Sequence, residues 1–430
     1  MEKTFEGLMR RRRRILTACC LINLCIGSIY GWSVFAGPLA EKLSALSGGD
    51  QVTAAGLSAV FTLANSVGPV TMITGGFVND RLGPRRVMMA GGLLFGAGFF
   101  FCGLADSVPA LMLSYGLGCG LGMGMVYGCT VSSAVKFFPD HRGLVGGAAT
   151  ASYGLSSVIL PPAAGTMIAR FGISRTCIGL GILFAVVIVT GGLFMEKCPA
   201  GFTAGWAAPD GDAAGRAAPG RTWRQMIKDG RFYVMMFMLV CGAFSGLMVT
   251  SQAAMMAQER VGMTAGMAAL AVSVLALFNT MGRVAAGVLS DFMGRLGVLR
   301  TVFALELAGL LVLTAAGRGE TAFFLAGLSV MGLCFGALMG IYPGFTADRF
   351  GAEHNSVNYG IMFIGFALAG FFGPMTAGRI LDISDSYNGA FAVAAALAAV
   401  GFLASLLPQR LPKKLWHRGG KCDEMSIISQ

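Results

Sequence analysis

The chain has 430 residues, 55% of them hydrophobic and only 12% charged, with a mean hydropathy of +0.71 and a formal net charge of +11. This composition excludes a soluble globule, in which about a quarter of residues are charged, and describes a polytopic membrane protein. The excess of cations would suit a nucleic-acid partner, but their order along the chain excludes one.

Twelve apolar stretches reach the roughly 20 residues that a helix needs to cross the hydrocarbon core. They lie at about 15 to 38, 52 to 78, 86 to 105, 108 to 135, 143 to 169, 174 to 195, 232 to 257, 264 to 290, 297 to 316, 321 to 347, 355 to 381 and 388 to 407. Before the first comes a basic cluster, Arg10 to Arg14, followed by Leu16-Thr17-Ala18-Cys19, which mimics a lipoprotein cleavage box. Almost no apolar region separates Arg14 from Cys19, and the apolar run continues to 38, so the expectation is an uncleaved first span. Span 4 carries Gly116, Gly120 and Gly124, a small-residue spacing that suits close helix packing in lipid. The longest connection, 196 to 231, is rich in Gly, Ala, Pro and charge. It divides the chain into an N-terminal half (1–195) and a C-terminal half (232–408), with a tail at 409–430.

Of the 32 Lys and Arg residues, 25 fall in the N-terminal tail, in the loops after spans 2, 4, 6, 8 and 10, and in the C-terminal tail. The opposite side holds Lys42, Arg170, Arg175, Arg260, Arg318 and Arg379. By the positive-inside rule both termini are expected in the cytoplasm, with the bacterial plasma membrane as the setting. The eleven cysteines form no Cys-x-x-Cys pair and lie mostly within spans, where they read as small packing residues. Neither a metal nor another cofactor is expected.

The remaining cation, Arg283, lies within span 8. An arginine at bilayer depth costs roughly 3 kcal/mol on insertion scales, so it faces a bundle interior or an aqueous cavity and meets an anion there. It stays protonated, and its planar fork matches a carboxylate in bidentate fashion, so it points to an organic acid. The competing reading is a structural tie to a buried Glu or to carbonyls. Asn279 lies one turn earlier on the same face and can donate to the same anion. Glu306, halfway along span 9, is the titratable group nearest mid-membrane, either a hydrogen-bonded neutral acid or a proton carrier.

The halves repeat. Gly76-Phe77-Val78-Asn79-Asp80-Arg81-Leu82-Gly83-Pro84-Arg85-Arg86 after span 2 recurs, degraded, as Gly287-Val288-Leu289-Ser290-Asp291-Phe292-Met293-Gly294-Arg295, an offset of 211 from Gly76 to Gly287. Pro161 and Gly165 in span 5 echo Pro374 and Gly378 in span 11 at an offset of 213. Two motif pairs that agree on one period indicate duplication, the usual construction of secondary transporters. At these residues the chain resembles the major facilitator superfamily. The resemblance implies an all-α fold of twelve transmembrane helices in two pseudo-symmetric six-helix halves. In that setting Asp80 caps or pairs with a neighbouring helix end, while Arg81, Arg85 and Arg86 hold the cytoplasmic side, a cluster able to break and reform as the halves rock.

Tyr30-Gly31-Trp32-Ser33-Val34-Phe35-Ala36-Gly37-Pro38-Leu39, Phe137-Phe138-Pro139-Asp140-His141-Arg142-Gly143, Asn279-x-x-x-Arg283 and Asn358-Tyr359-Gly360 are similar to the oxalate/formate antiporter group and related monocarboxylate transporters. That resemblance implies that Arg283 binds a substrate carboxylate and that Tyr30, Tyr127 and Tyr342 close the pocket. Two departures bear on the substrate. Oxalate exchangers of the group carry a Lys in span 11, whereas residues 355 to 378 contain no Lys or Arg. A dianion would keep one charge unpaired, which favours a monocarboxylate such as lactate, pyruvate or formate. The animal proton-coupled relatives pair a span 1 Lys with an Asp one turn before the arginine, where this chain has an uncharged span 1 and Asn279. Coupling is then through a proton carried elsewhere or through anion exchange.

An oxalate/formate-type exchanger remains the nearest alternative, and a non-transporting sensor the alternative of a different class. An enzyme is not expected, because His141, His354 and His417 have no paired carboxylates or metal spacing near them. A small organic anion, possible protons and the lipid bilayer are the expected partners, with a monomer as the assembly.

Overall fold

A computed structural model describes residues 2–46, 54–199, 220–384 and 386–407. Most of the 196–231 connection, at 200–219, and the tail at 409–430 lie outside the described residues. In chain order the helices are α1 (Glu2–Ile26), α2 (Trp32–Leu46), α3 (Ala54–Leu82), α4 (Pro84–Leu104), α5 (Val108–Leu111), α6 (Gly120–Phe137), α7 (Arg142–Phe171), α8 (Ile173–Leu193), the short α9 (Trp223–Met226), α10 (Gly230–Glu259), α11 (Ala265–Met293), α12 (Arg295–Ala315), α13 (Thr321–Phe350), α14 (Asn355–Ser384) and α15 (Asn388–Leu406). A 3-10 turn at Gly27–Gly31 joins α1 to α2, and a π-helical stretch at Met112–Cys119 joins α5 to α6. These pairs form spans 1 and 4, giving twelve membrane-crossing units.

Among the described residues, eleven units are long and apolar enough to cross a bilayer on length and composition alone. The other is α3, which has 29 residues and carries Asn65, Thr71, Thr74, Asn79 and Asp80. Its lower hydropathy follows from its place: Asn65, Gly68, Pro69 and Met72 face an internal cavity rather than lipid. The protein is a multi-pass integral membrane protein.

Two links show the repeat at backbone level. Gly83 joins α3 to α4 at φ 91°, and Gly294, 211 residues on, joins α11 to α12 at φ 77°. Only glycine enters this region without steric cost, so each one-residue link reverses the chain sharply on the basic side.

In the N-terminal half α4 packs on α8 and α3 on α6, and in the C-terminal half α10 packs on α14 and α11 on α13. The halves meet along α7 against α11 and α3 against α14. α12 and α15 lie side by side at the periphery, α12 against α13 and α15 against α10.

Candidate functional site

Span 1 breaks where the site needs it. A side chain at Gly27 would collide with the Tyr153 carbonyl oxygen at 2.1 Å, so α1 and α7 touch backbone to backbone there. The 3-10 turn also frees the Ile29 carbonyl, which accepts a hydrogen bond from the Tyr115 hydroxyl at 3.0 Å. Tyr30, inside that turn, thereby reaches the centre of the bundle.

There the two halves enclose a cavity of about 40 Å³. Tyr30, Asn65, Tyr127 and Tyr153 line it from the first half, and Arg283, Met339, Phe363 and Phe366 from the second. Tyr153 packs edge-on to Tyr30 with ring centroids 5.2 Å apart, and Tyr127 lies 5.0 Å from Tyr153. The result is an apolar box with hydroxyls, one amide and one charge, the composition suited to orienting a small polar molecule.

Arg283 is 3% exposed. Nε donates to Asn279 Oδ1 at 3.0 Å, and Nη1 donates to the Thr150 carbonyl in the opposite half at 2.7 Å. Both acceptors are neutral, and among the described residues no Asp or Glu forms an ion pair with it. The helix is wedged around the residue, since a Cβ on Gly147 of α7 or on Gly340 of α13 would each stand 2.3 Å from the Arg283 carbonyl oxygen. Backbones on both sides thus fix α11 in depth and rotation, and the guanidinium with it.

The sequence-derived candidates separate into three groups. Arg283, Tyr30 and Tyr127 converge on the cavity. Asn279, 8% exposed, accepts from Arg283 Nε and so orients the guanidinium from behind rather than lining the cavity. Tyr342 is not brought to the cavity: its hydroxyl donates to the Met235 carbonyl in α10 at 2.8 Å, and Met339, one turn away, lines the cavity instead. Glu306 is also elsewhere, fully buried on α12, accepting from Ser245 of α10 through Oε1 while Oε2 has no partner among the described residues. Asn65 and Tyr153 were missed. Asn65 is a polar residue within an apolar stretch, the same signal that singled out Arg283.

On the basic side the halves are closed by two related locks. Asp80 Oδ2 accepts from the Val357 amide in the first turn of α14 at 3.2 Å, and Oδ1 pairs with Lys136 at 2.6 Å. Asp291 accepts from the Gly143 and Leu144 amides in the first turn of α7, each at 2.9 Å, and pairs with Arg295 at 2.9 Å. Each carboxylate therefore caps a helix N-terminus of the opposite half, where unsatisfied N–H groups and the dipole favour a negative charge. Gly76 and Gly287 admit the contact, because a Cβ on either would meet backbone, of Ser356 at 2.9 Å and of Gly143 at 2.4 Å. Asp348 ties Arg142 at 2.8 Å to Arg295 at 2.9 Å, and Ser356 accepts from Asn79 and donates to Ser132, each at 2.8 Å. Arg81, Arg85 and Arg86 are exposed on this face. Lys136, Arg142 and Asp348 complete the locks; of these only Arg142 lies in a segment that the sequence marked, Phe137 to Gly143.

The Major Facilitator Superfamily model matches residues 21–374 and 238–423. The chain belongs to this superfamily. It is 27% identical over 410 residues to the oxalate:formate antiporter of Oxalobacter formigenes, covering 94% of this chain and 93% of that one. It is 25% identical over 342 residues to monocarboxylate transporter 13 of Bos taurus, with coverage of 77% and 76%. The crystal structure of the human organic anion transporter MFSD10 superposes with a TM-score of 0.69 at 14% identity, over 92% of this chain and 99% of that one, a likeness of fold. The expected all-α, two-half architecture is that of these superfamily transporters.

Proposed function

We propose that this superfamily member is a secondary active transporter of a small monocarboxylate, with Arg283 as the carboxylate clamp and alternating access as the mechanism. The observation that carries the reading is the electrostatics of the cavity: one permanent cation, held by neutral acceptors, and no other charged residue in the lining among the described residues. A monoanion neutralises that cation, whereas a dianion would bury one charge without a partner, at a cost of several kcal/mol. The names of the two curated relatives, one an oxalate:formate antiporter and one a monocarboxylate transporter, support a carboxylate substrate. In this reading Asn279 holds the guanidinium, Tyr30, Tyr127 and Tyr153 close over the carbon body, and Asn65 donates or accepts opposite the charge. The protein works as a monomer in a bacterial plasma membrane with its basic face in the cytoplasm.

Thermal shift with lactate, formate and oxalate tests the clamp. Arg283→Lys keeps the charge and loses the fork, so the lactate or formate affinity should fall at least about tenfold, or 1.4 kcal/mol. Arg283→Gln should be no less stable than wild type without substrate, because it removes a buried cation that no carboxylate neutralises, and it should lose the substrate-induced shift. A destabilised Arg283→Gln that still binds a monocarboxylate would overturn the assignment.

A further inference from the structure

Eight buried side-chain atoms lack a hydrogen-bond partner among the described residues, and four of them belong to one stretch of α14. They are both amide atoms of Asn355, Oδ1 of Asn358 and the hydroxyl of Tyr359. All three side chains are at most 1% exposed. Positions three and four apart share a helix face, so these groups form one polar stripe. Buried polar groups are nearly always satisfied, and a cluster of exceptions in one place calls for a cause.

The stripe runs from the basic-side lock towards the cavity. Two residues before Tyr359, the Val357 amide is held by Asp80, and one turn after it Phe363 lines the cavity. Tyr359 packs on Phe363 with ring centroids 5.8 Å apart, and Phe363 packs on Tyr127 at 5.9 Å. The Tyr359 hydroxyl stands within electrostatic reach of Arg283 and beside the Tyr127 hydroxyl, without closing a hydrogen bond of ordinary geometry. Next to it Gly360 packs against the backbone of Ile73 in α3, a contact that separates when the two halves part on this side.

We propose that the Tyr359 hydroxyl is a second carboxylate contact, unpaired while the basic side is closed and engaged by the substrate as it leaves Arg283 towards that side. The inference rests on the carboxylate reading of Arg283. When the lock opens, the Tyr359 hydroxyl donates to a carboxylate oxygen passing Tyr127, and Asn358 and Asn355 continue the polar path to the basic face. The same hydroxyl has no role in binding from the other side, where Arg283, Tyr30 and Tyr127 already enclose the ligand.

Tyr359→Phe in the full chain separates this role from packing, since it removes one unpaired oxygen and keeps the ring. Without ligand the variant should melt at the wild-type temperature or higher, and the melting shift induced by L-lactate should be retained. Counterflow of labelled L-lactate in proteoliposomes should slow at least about fivefold, the scale of one net hydrogen bond. Unchanged counterflow at equal protein incorporation would overturn the proposal, as would a lower melting temperature, which would mean that the hydroxyl has a structural partner. If neither lactate nor formate shifts the wild type, the carboxylate reading of Arg283 has failed, and this assignment falls with it.

Discussion

A tyrosine hydroxyl contributes to an anion site only if no stronger commitment holds it elsewhere. Tyr127 lines the cavity beside Arg283, whereas Tyr342 spends its hydroxyl on the Met235 carbonyl. Tyr127→Phe should therefore weaken lactate binding about threefold to tenfold, on the scale of 0.5–1.5 kcal/mol for one hydrogen bond. Tyr342→Phe should leave lactate affinity unchanged and lower stability instead, because it removes a buried hydrogen bond between α13 and α10. Titration of the two variants by thermal shift checks the contrast, and a loss of affinity in Tyr342→Phe would return that residue to the site. Glu306 poses the same question for protons. Its carboxyl is sealed between α12 and α10, away from the cavity, with Ser245 as its hydrogen-bond donor. That placement, buried and bonded only across to α10 among the described residues, predicts a tie between two helices rather than a proton carrier. Glu306→Gln keeps a neutral amide in its place, and lactate uptake measured between pH 5.5 and 8 should keep its profile. A flattened profile would make Glu306 the proton carrier instead.

At the level of elements, composition and period identified what was needed to cross a membrane. The spacing of apolar stretches located all twelve units, and one cation at bilayer depth pointed to a residue that lines the cavity between the halves. What stayed hidden depends on how each helix is rotated and where it breaks. Tyr342 and Met339 lie one turn apart on α13, and which of them faces the cavity is decided by packing: Gly336 and Gly340 lock α13 onto the Asn279 and Arg283 backbones of α11. No periodicity in α13 reports that rotation, because the helix is apolar all round, as buried helices are. The 3-10 turn in span 1 and the π-helical stretch in span 4 were equally invisible. Both are set by backbone contacts across helices, Gly27 on Tyr153 and Gly98 on Cys119. Tyr153 lines the cavity beside such a contact, that of Gly27 with its carbonyl.

At the scale of the whole molecule, duplication has placed the same device at two interfaces, and this gives a test of how the halves move. Asp80 and Asp291 each cap a helix of the opposite half, and both locks close the same side. The charge of each carboxylate, through the helix dipole and its ion pair with Lys136 or Arg295, contributes about 1 kcal/mol, so Asp80→Asn or Asp291→Asn should each shift the closed-to-open ratio on the basic side about fivefold. The two sites share no partner, so the double variant should shift it roughly thirtyfold. If the halves rock as rigid bodies, opening one lock opens the other. Amide hydrogen exchange should then rise in the first turns of both α14 and α7 in each single variant, at Val357 and at Gly143 and Leu144. Lactate should bind more weakly to the double variant, because the closed form that holds it is less populated. Faster exchange confined to the helix whose own cap was removed would mean local fraying, and the two locks would then not report one motion.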